Sequence, residues 1–152
     1  MRGVRTRLTT GPFDPCGELR LFIEERAGDG AVASFIGLTR DGRDGEAVEA
    51  LVLEHYSGVT ERSLQEIAED GVRRFRLSAA LVVHRAGRIL PGEAIVLVAA
   101  AAPHRRAAFD GVDYLMDRLK TDAAFWKREE GPHATRWIEP IEADRDARHR
   151  WD

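Results

Sequence analysis

Two lysines near the C-terminal end of the chain are the residues whose type and spacing first suggest chemistry. The sequence contains twenty-one arginines but only two lysines, Lys120 and Lys127. A lysine ammonium can lose its proton and act as a nucleophile or an acid, whereas an arginine stays charged. Two nearby ammoniums also lower each other's pKa, which makes a neutral amine available nearer pH 7. The pair therefore indicates amine chemistry; the alternative is that two lysines survived a compositional drift toward arginine.

The spacing of the two lysines leaves two arrangements open. They are seven residues apart, close to two turns of an α-helix, so an uninterrupted helix would put both ammoniums on one face. If the helix instead ends near Ala123, Lys127 lies on a loop that can fold back beside Lys120. The alternative to both is an ordinary basic helix end, which the helix dipole favours. Phe125 and Trp126, between the lysines, are expected to be core aromatics.

A second cationic cluster, Pro103-His104-Arg105-Arg106, stands where a helix is predicted to begin. The start of a helix carries partial positive charge, so each cation there costs roughly 0.3–1 kcal/mol. A bound anion would remove this cost, because exposed backbone N–H groups and arginine side chains suit a phosphate or a carboxylate. A solvated helix start near acidic neighbours is the alternative interpretation.

Arg40 is the third candidate, because it ends an apolar segment and begins a glycine-rich one. Residues at such junctions commonly serve in binding. No metal is predicted, since the histidines have no partner at metal-ligand spacing, and no P-loop, dinucleotide-binding or nucleophile-elbow motif indicates a cofactor. Cys16 is expected to be a packed thiol. Together the clusters describe a small enzyme with a cationic pocket and two amines.

The elements that must position these residues follow from the apolar pattern and the turn signals. Helices are predicted from Asp14-Pro15, from about Thr60, and from His104 to about Ala123. Strands are predicted for Val4–Leu8, Ala31–Thr39, Ala47–Tyr56, Leu77–His84, Glu93–Ala101 and Trp137-Ile138. Residues 40–45 are expected to be a flexible loop, and the charged segment after about residue 142 a loose tail. Mixed hairpins and crossovers of this kind indicate a single α+β domain over 1–152.

Composition excludes several classes of protein. A length of 152 residues is typical of one domain with its own core. The pI of about 6.0 argues against a nucleic-acid module. One cysteine excludes an internal disulfide framework, and the longest apolar run, Ala94–Ala102, is about half a membrane span. The basic first ten residues lack an apolar signal region, so we expect a soluble cytoplasmic protein.

Four segments together resemble one family, the catalytic (large) subunit of molybdopterin synthase, or MoaE family. The resemblance covers about Asp29 to Glu139 in family order. The segments are AVASFIGLTR, LEHYSGVTERSLQEIAED, VVHRAGRILPGEAIVLVAAAAPHRRAAFDGVDYLMDRLKTDAAFWKREE and RWIE. Their H-R-x-G and L-K-T-x-x-x-F-W-K-x-E elements are highly specific in combination.

The resemblance implies a fold, a reaction and partners. The fold is an α/β hammerhead with a small additional antiparallel β subdomain, and the chain forms a homodimer within a heterotetramer. Each end of the dimer binds a small ubiquitin-like sulfur-carrier subunit, whose Gly-Gly tail ends in a thiocarboxylate. The substrate is cyclic pyranopterin monophosphate and the product is molybdopterin, with no cofactor, nucleic acid or membrane involved.

The resemblance also assigns residues by position. Lys120 and Lys127 match two essential lysines. Our own hypothesis for their roles, which the resemblance does not give, is that Lys120 is the principal acid, base or charge stabiliser and Lys127 the anchor for tail and phosphate. His104 and Arg105 match a substrate-binding pair that reaches into the partner's pocket. The further substrate-binding residues that the resemblance implies are Phe35, Leu38, Thr39, Arg40, Arg128 and Glu129.

The sequence departs from the family pattern in the segment around Arg40. Leu38 stands where relatives often carry a basic residue, and Asp41-Gly42 replaces the commoner Asn-His. These departures affect the details of substrate contact. Two rival hypotheses remain: a non-catalytic module that binds a ubiquitin-like tail or an anionic metabolite, and an unrelated phosphate-binding enzyme that needs no carrier.

Overall fold

Two four-stranded sheets, a short hairpin and four helices make up the fold of the computed structural model, which describes residues 3–152 and shows ten strands there. In chain order these are β1 (Gly3–Thr9), α1 (Pro15–Glu24), β2 (Ala31–Leu38), β3 (Gly42–Arg43), β4 (Glu46–Ala47), β5 (Ala50–His55), α2 (Val59–Phe75), β6 (Ala79–Arg85), β7 (Gly87–Ile89), β8 (Ala94–Ala102), α3 (Arg105–Thr121), β9 (Phe125–Glu130), β10 (Thr135–Ile138) and α4 (Glu142–His149). The α+β class predicted from the sequence is confirmed.

The main sheet has the strand order β1-β6-β8-β2. Strand β1 runs parallel to β6, and the other neighbours are antiparallel. Every residue of β6 is buried, as are the last seven of β8, which explains their nearly continuous apolar sequences. Helices α2 and α3 cover one face of the sheet, and α1 contributes Phe22 to the core on the other face.

The helices begin and pack as their sequences predict. The carboxylate of Asp14 caps α1 by accepting a hydrogen bond from the Cys16 N–H at 3.1 Å. Helix α3 can lie close to the sheet because Gly111 faces Leu77 and Ala100. A Cβ at position 111 would lie only 2.9 Å from Leu77 Cδ1, so any larger residue would push the helix outward. Cys16 is exposed, so the prediction of a packed thiol is wrong.

A second sheet, of order β10-β9-β5-β7, lies beside the first, and a two-stranded hairpin of β3 and β4 precedes it. The hairpin replaces the flexible loop predicted for residues 40–45. Its turn is Asp44-Gly45, with φ angles of 53° and 82°, and Arg43 pairs with Glu46. An Asp-Gly pair with two positive φ angles is a favoured two-residue hairpin turn, so the signal was present in the sequence.

The C-terminal segment differs most from its prediction. Instead of a loose tail, residues 142–149 form α4, and Trp151 inserts its ring edge-on against Phe75 and Tyr114, with centroids 5.4 and 5.5 Å away. The Trp151 indole N–H donates to Asp117 at 2.7 Å. The sequence pattern is almost purely charged, so only these tertiary contacts, which the local sequence does not display, order it. No helix in residues 3–152 is long and apolar enough to cross a membrane.

Candidate active site

The two lysines come together because the chain reverses immediately after α3. The helix ends at Thr121, where the Asp122 N–H still donates to the Arg118 carbonyl at 2.7 Å. The chain then returns as β9, and Lys127 is the third residue of this strand. Of the two predicted arrangements, the one in which the chain folds back is the observed one, with a strand in place of the expected loop.

The two ammoniums have different environments. Lys120 is exposed on the last turn of α3, whereas Lys127 is largely buried on β9. Burial lowers the pKa of Lys127 to about 8; the positive charges of Lys120 and Arg43 add to this shift, and the carboxylate of Asp144 opposes it. A buried ammonium near other cations holds its proton weakly. Lys127 is therefore the amine that can exchange a proton near neutral pH.

His84, which the sequence patterns assigned no role, lies beside both lysines. Its ring stacks on Phe125, with centroids 4.3 Å apart, and its Nδ1 lies 2.8 Å from the Arg85 carbonyl oxygen. A carbonyl can only accept, so Nδ1 carries the proton and Nε2 keeps a lone pair. Burial lowers the pKa of His84 to about 4; the Arg85 hydrogen bond opposes this shift, and the charges of Lys127 and Lys120 add to it. The ring is therefore neutral at pH 7.

Glu129 lies two residues after Lys127 on the same face of β9 and anchors two arginines. Its Oε1 accepts from Arg43 Nη1 at 3.0 Å, and its Oε2 accepts from Arg136 Nη2 at 3.1 Å. Sequence reasoning found Glu129 but missed Arg43 and Arg136. Arg43 is brought here by the Asp44-Gly45 hairpin, which was the available signal, whereas Arg136 arrives through the pairing of β10 with β9.

Arg128 lies on the opposite face of β9 from Lys127, because side chains alternate along a strand. There it pairs with Glu54 and stacks over the Trp137 ring at 5.8 Å. Its contact with substrate stays a prediction. Of the two aromatics between the lysines, Phe125 packs on the core as predicted, but Trp126 is 55% exposed, so its predicted core role is wrong.

The end of β2 presents the other predicted substrate-binding residues. Phe35 and Leu38 are 43% and 58% exposed, which is unusual for large apolar side chains. Thr39 is buried, and its Oγ1 has no hydrogen-bond partner. Arg40 is exposed and lies three residues before Arg43, whose charge acts on Lys127. The end of β2 is thus connected along the chain to Arg43, the arginine whose charge reaches the lysine pair.

His104 and Arg105 occupy the other end of α3. Both are exposed, His104 is the N-cap residue without a side-chain capping bond, and the first turn contains no acidic residue. Fifteen residues separate Arg105 from Lys120 along one helix, which corresponds to about 22 Å. Within one chain, the structure therefore does not bring the His104-Arg105 pair to the lysines.

The chemistry of the assembled site is that of an anion-binding pocket with a weakly held proton. Across the described residues, no cluster of three or more His, Cys, Asp or Glu side chains could hold a metal ion. Lys120, Lys127 and Arg43 supply positive charge, and the neutral ring of His84 lets two ammoniums stand close together without a third cation. Such a pocket suits a phosphate ester or a carboxylate.

Comparison with known proteins gives a consistent result. The profile of the MoaE protein family matches residues 8–122. A protein of Caulobacter vibrioides, named molybdopterin synthase catalytic subunit, is 52% identical over 145 residues, which are 95% of each chain. The solved structure of a molybdopterin biosynthesis MoaE protein from Burkholderia ambifaria superposes with a TM-score of 0.82 at 40% identity, covering 97% of both chains.

A more distant structure shares the fold. It is a chain from the protein-protein complex of subunits 1 and 2 of the molybdopterin-converting factor from Helicobacter pylori. The TM-score is 0.73 at 18% identity, with 88% of this chain and 89% of that chain covered.

Proposed function

The chain belongs to the MoaE family of molybdopterin synthase catalytic subunits, which are sulfurtransferases of molybdenum cofactor biosynthesis, and from this premise we propose its substrate, its partner and the roles of its site residues. The substrate is cyclic pyranopterin monophosphate. The sulfur donor is the C-terminal thiocarboxylate of a small ubiquitin-like carrier subunit. A partner subunit is supported by the Helicobacter pylori structure, which is named as a complex of subunits 1 and 2 of the molybdopterin-converting factor.

The reaction transfers one sulfur from each of two carriers. In one transfer the thiocarboxylate sulfur bonds to a side-chain carbon of the pterin as the bond from that carbon to a cyclic-phosphate oxygen breaks, which opens the phosphate ring. In the other transfer the sulfur bonds to the neighbouring side-chain carbon, and the oxygen on that carbon leaves as water. Water then cleaves the acyl–sulfur bond, which leaves the sulfur on the pterin and a carboxylate on the carrier. Both the donor tail and the phosphate are anions, so a pocket of Lys120, Lys127 and Arg43 is suited to hold them together.

The observation that carries this proposal is the contrast between the two lysines. The hypothesis drawn from the sequence made Lys120 the principal acid, base or charge stabiliser and Lys127 the anchor; the burial of Lys127 and its pKa of about 8 support proton transfer by Lys127 instead. Lys127 donates a proton to the oxygen released as the cyclic phosphate opens, and Lys120 holds anionic groups. A general acid works best when its pKa lies near the working pH.

Each active site draws on two chains of a homodimer. Since about 22 Å of helix separates Arg105 from Lys120, the His104-Arg105 pair can serve a lysine pocket only from another copy. The exposed cations at this helix start then face the anionic substrate of the partner. The alternative, a module that only binds a carrier tail, does not explain why a buried lysine rather than another arginine stands at position 127.

The test compares two conservative variants, Lys127→Arg and Lys120→Arg, in purified protein supplied with thiocarboxylated carrier and pterin precursor. An arginine keeps the charge but cannot donate a proton near pH 8. We expect Lys127→Arg to lower kcat by about 100-fold or more and Lys120→Arg to lower it only several-fold. In the wild type, kcat/KM should fall as pH rises through about 8, because the active ammonium of Lys127 is lost.

Four outcomes contradict the proposal. Near-normal turnover of Lys127→Arg would eliminate proton donation by Lys127. A rate that rises through pH 8 would mean that the neutral amine is the active form. No dithiolene product from the wild type, with carrier binding intact, would favour the non-catalytic module, and turnover without any carrier would favour an unrelated phosphate-binding enzyme.

A further inference from the structure

Arg85 is a buried arginine that the proposed mechanism does not use. It is the last residue of β6, and its side chain is 5% exposed. Its Nη2 donates to the Arg88 carbonyl at 3.1 Å, and its Nη1 lies 3.2 Å from Glu93 Oε2. The guanidinium thus joins the end of β6 to both ends of the turn that leads into β8.

Glu93 connects Arg85 to the end of β2. Its Oε1 accepts a hydrogen bond from the Leu90 N–H at 2.7 Å, which closes the turn. Its backbone carbonyl accepts from the Thr39 N–H at 3.0 Å, and the Thr39 carbonyl accepts from the Gly92 N–H at 2.8 Å. The backbone of Thr39 is therefore clamped on both sides by a turn that Arg85 holds, and the next residue is Arg40.

The burial of Arg85 contributes less stability to the fold than is expected of a residue whose only role is packing. Arg85 Nε and Nη1 are buried without a hydrogen bond, and Thr39 Oγ1 next to the same turn also has none. A buried charge with incomplete partners stabilises a fold less than a well-packed apolar side chain of similar size. The Leu90 N–H bond and then Arg85 lower the pKa of Glu93, so its carboxylate stays ionised as the partner of the guanidinium.

Consecutive residues of β6 serve the two halves of the site. His84 lies against Phe125 and the lysines, whereas Arg85, on the opposite face of the sheet, reaches Glu93. We propose that Arg85 is a positioning residue, which fixes the Leu90–Glu93 turn and with it the strand end at Thr39, so that Arg40 is held in place to bind the anionic substrate. This inference rests on the proposed function.

The test uses Arg85→Met, which removes the charge at similar volume, and Arg40→Ala, alone and combined. If Arg85 acts through Arg40, Arg85→Met should raise KM for the pterin about tenfold with kcat within twofold of wild type. In the Arg40→Ala background, Arg85→Met should then add almost nothing, because the two changes remove the same interaction. The matched control is Arg5→Met, which breaks an exposed ion pair with Glu25 of 3.0 Å and should change neither constant.

A second variant and a second measurement separate positioning from loss of fold. Glu93→Gln keeps an acceptor for the Leu90 N–H while removing the counter-charge, and it should show the same rise in KM if Arg85→Met does not fold. Hydrogen exchange at the Thr39 and Gly92 amides should accelerate at least tenfold in either variant, while exchange in α2 stays unchanged.

The outcomes also separate this inference from the proposed function. If the wild type makes no product, the proposed function fails, yet amide exchange still tests whether Arg85 clamps Thr39. A full additional tenfold loss from Arg85→Met in the Arg40→Ala background overturns the inference. So does unchanged exchange at Thr39 and Gly92, or a fall in kcat at constant KM.

Discussion

The two ends of helix α3 treat positive charge in opposite ways. At its start, His104, Arg105 and Arg106 are exposed and have no side-chain hydrogen bond or ion pair with any other residue of the described chain. Near its end, Arg118 is held by Asp70 at 3.0 Å, by Tyr114 and by Asp122. Arg118 thus has partners for its charge within its own chain, and the three residues at the helix start do not.

This difference separates the cations of α3 that stabilise the folded chain from those that do not. The paired end stabilises the chain, because Arg118 joins α3 to α2 through Asp70. The unpaired end opposes the helix dipole and contributes nothing to stability. A surface that costs stability and persists is expected to work in binding, and here it has the sign that a phosphate or a carboxylate requires.

The largest expected effect tests whether the unpaired start of α3 completes the active site of another chain. Either His104→Ala with Arg105→Ala or Lys120→Ala should abolish nearly all activity. Mixing the two inactive proteins in equal amounts, with subunit exchange, should restore about a quarter of wild-type activity, since half of the dimers are mixed and each has one intact site. Product formation from thiocarboxylated carrier measures this. If mixed dimers form and remain inactive, the pair works within its own chain.

An effect of intermediate size is expected on stability, where Trp151 packs between α2 and α3. Trp151→Ala removes the ring that packs on Phe75 and Tyr114 and the hydrogen bond to Asp117. We expect a loss of about 3 kcal/mol in the free energy of unfolding, measured by urea denaturation. The matched control is Trp126→Ala, since Trp126 also has an edge-on aromatic neighbour but is 55% exposed. Its loss should be below about 1 kcal/mol; equal losses would contradict the ordered C-terminal contact.

The smallest effect has the opposite sign. His104→Asp gives α3 the capping side chain that Asp14 gives α1, so the protein should become more stable by about 1 kcal/mol while losing activity. His104→Ala, which cannot cap, should lose activity without this gain. Thermal unfolding of both variants measures the effect. A His104→Asp protein that is active, or no more stable than His104→Ala, would refute the view that this helix start sacrifices stability for binding.

The sequence predicted those parts of the site that local patterns determine. The apolar stripe of α3 placed Lys120 correctly on its last turn, and the apolar end of β2 placed Arg40. Lys127 was found by residue type, but its strand was missed because Phe125–Glu130 is mostly charged and does not alternate. Such a strand forms because β5 and β10 supply its hydrogen bonds from both sides, and no local pattern records that.

Two of the contacts missed by sequence reasoning join parts of the chain that are far apart in sequence. Arg43 reaches Glu129 across 86 positions of the chain, and His84 meets Phe125 only because the two sheets come together there. The sequence did contain a signal at His84, since a histidine at the end of an otherwise apolar strand requires a polar partner. Arg85, the next residue, gives the same signal. In both cases the sequence does not identify the partner, and the folded structure does.

The docking of α4 has a consequence for any chain that is cut short after the last strand. The aromatic cluster with Phe75 and Tyr114 needs Trp151, and the acidic neighbour of Lys127 is Asp144, so both features depend on residues that follow β10. A premature stop codon at any of positions 142–144 would leave every described strand of the sheets intact. The resulting chain would still lack the ring that seals α3 against α2 and a charge that sets the proton affinity of the buried amine.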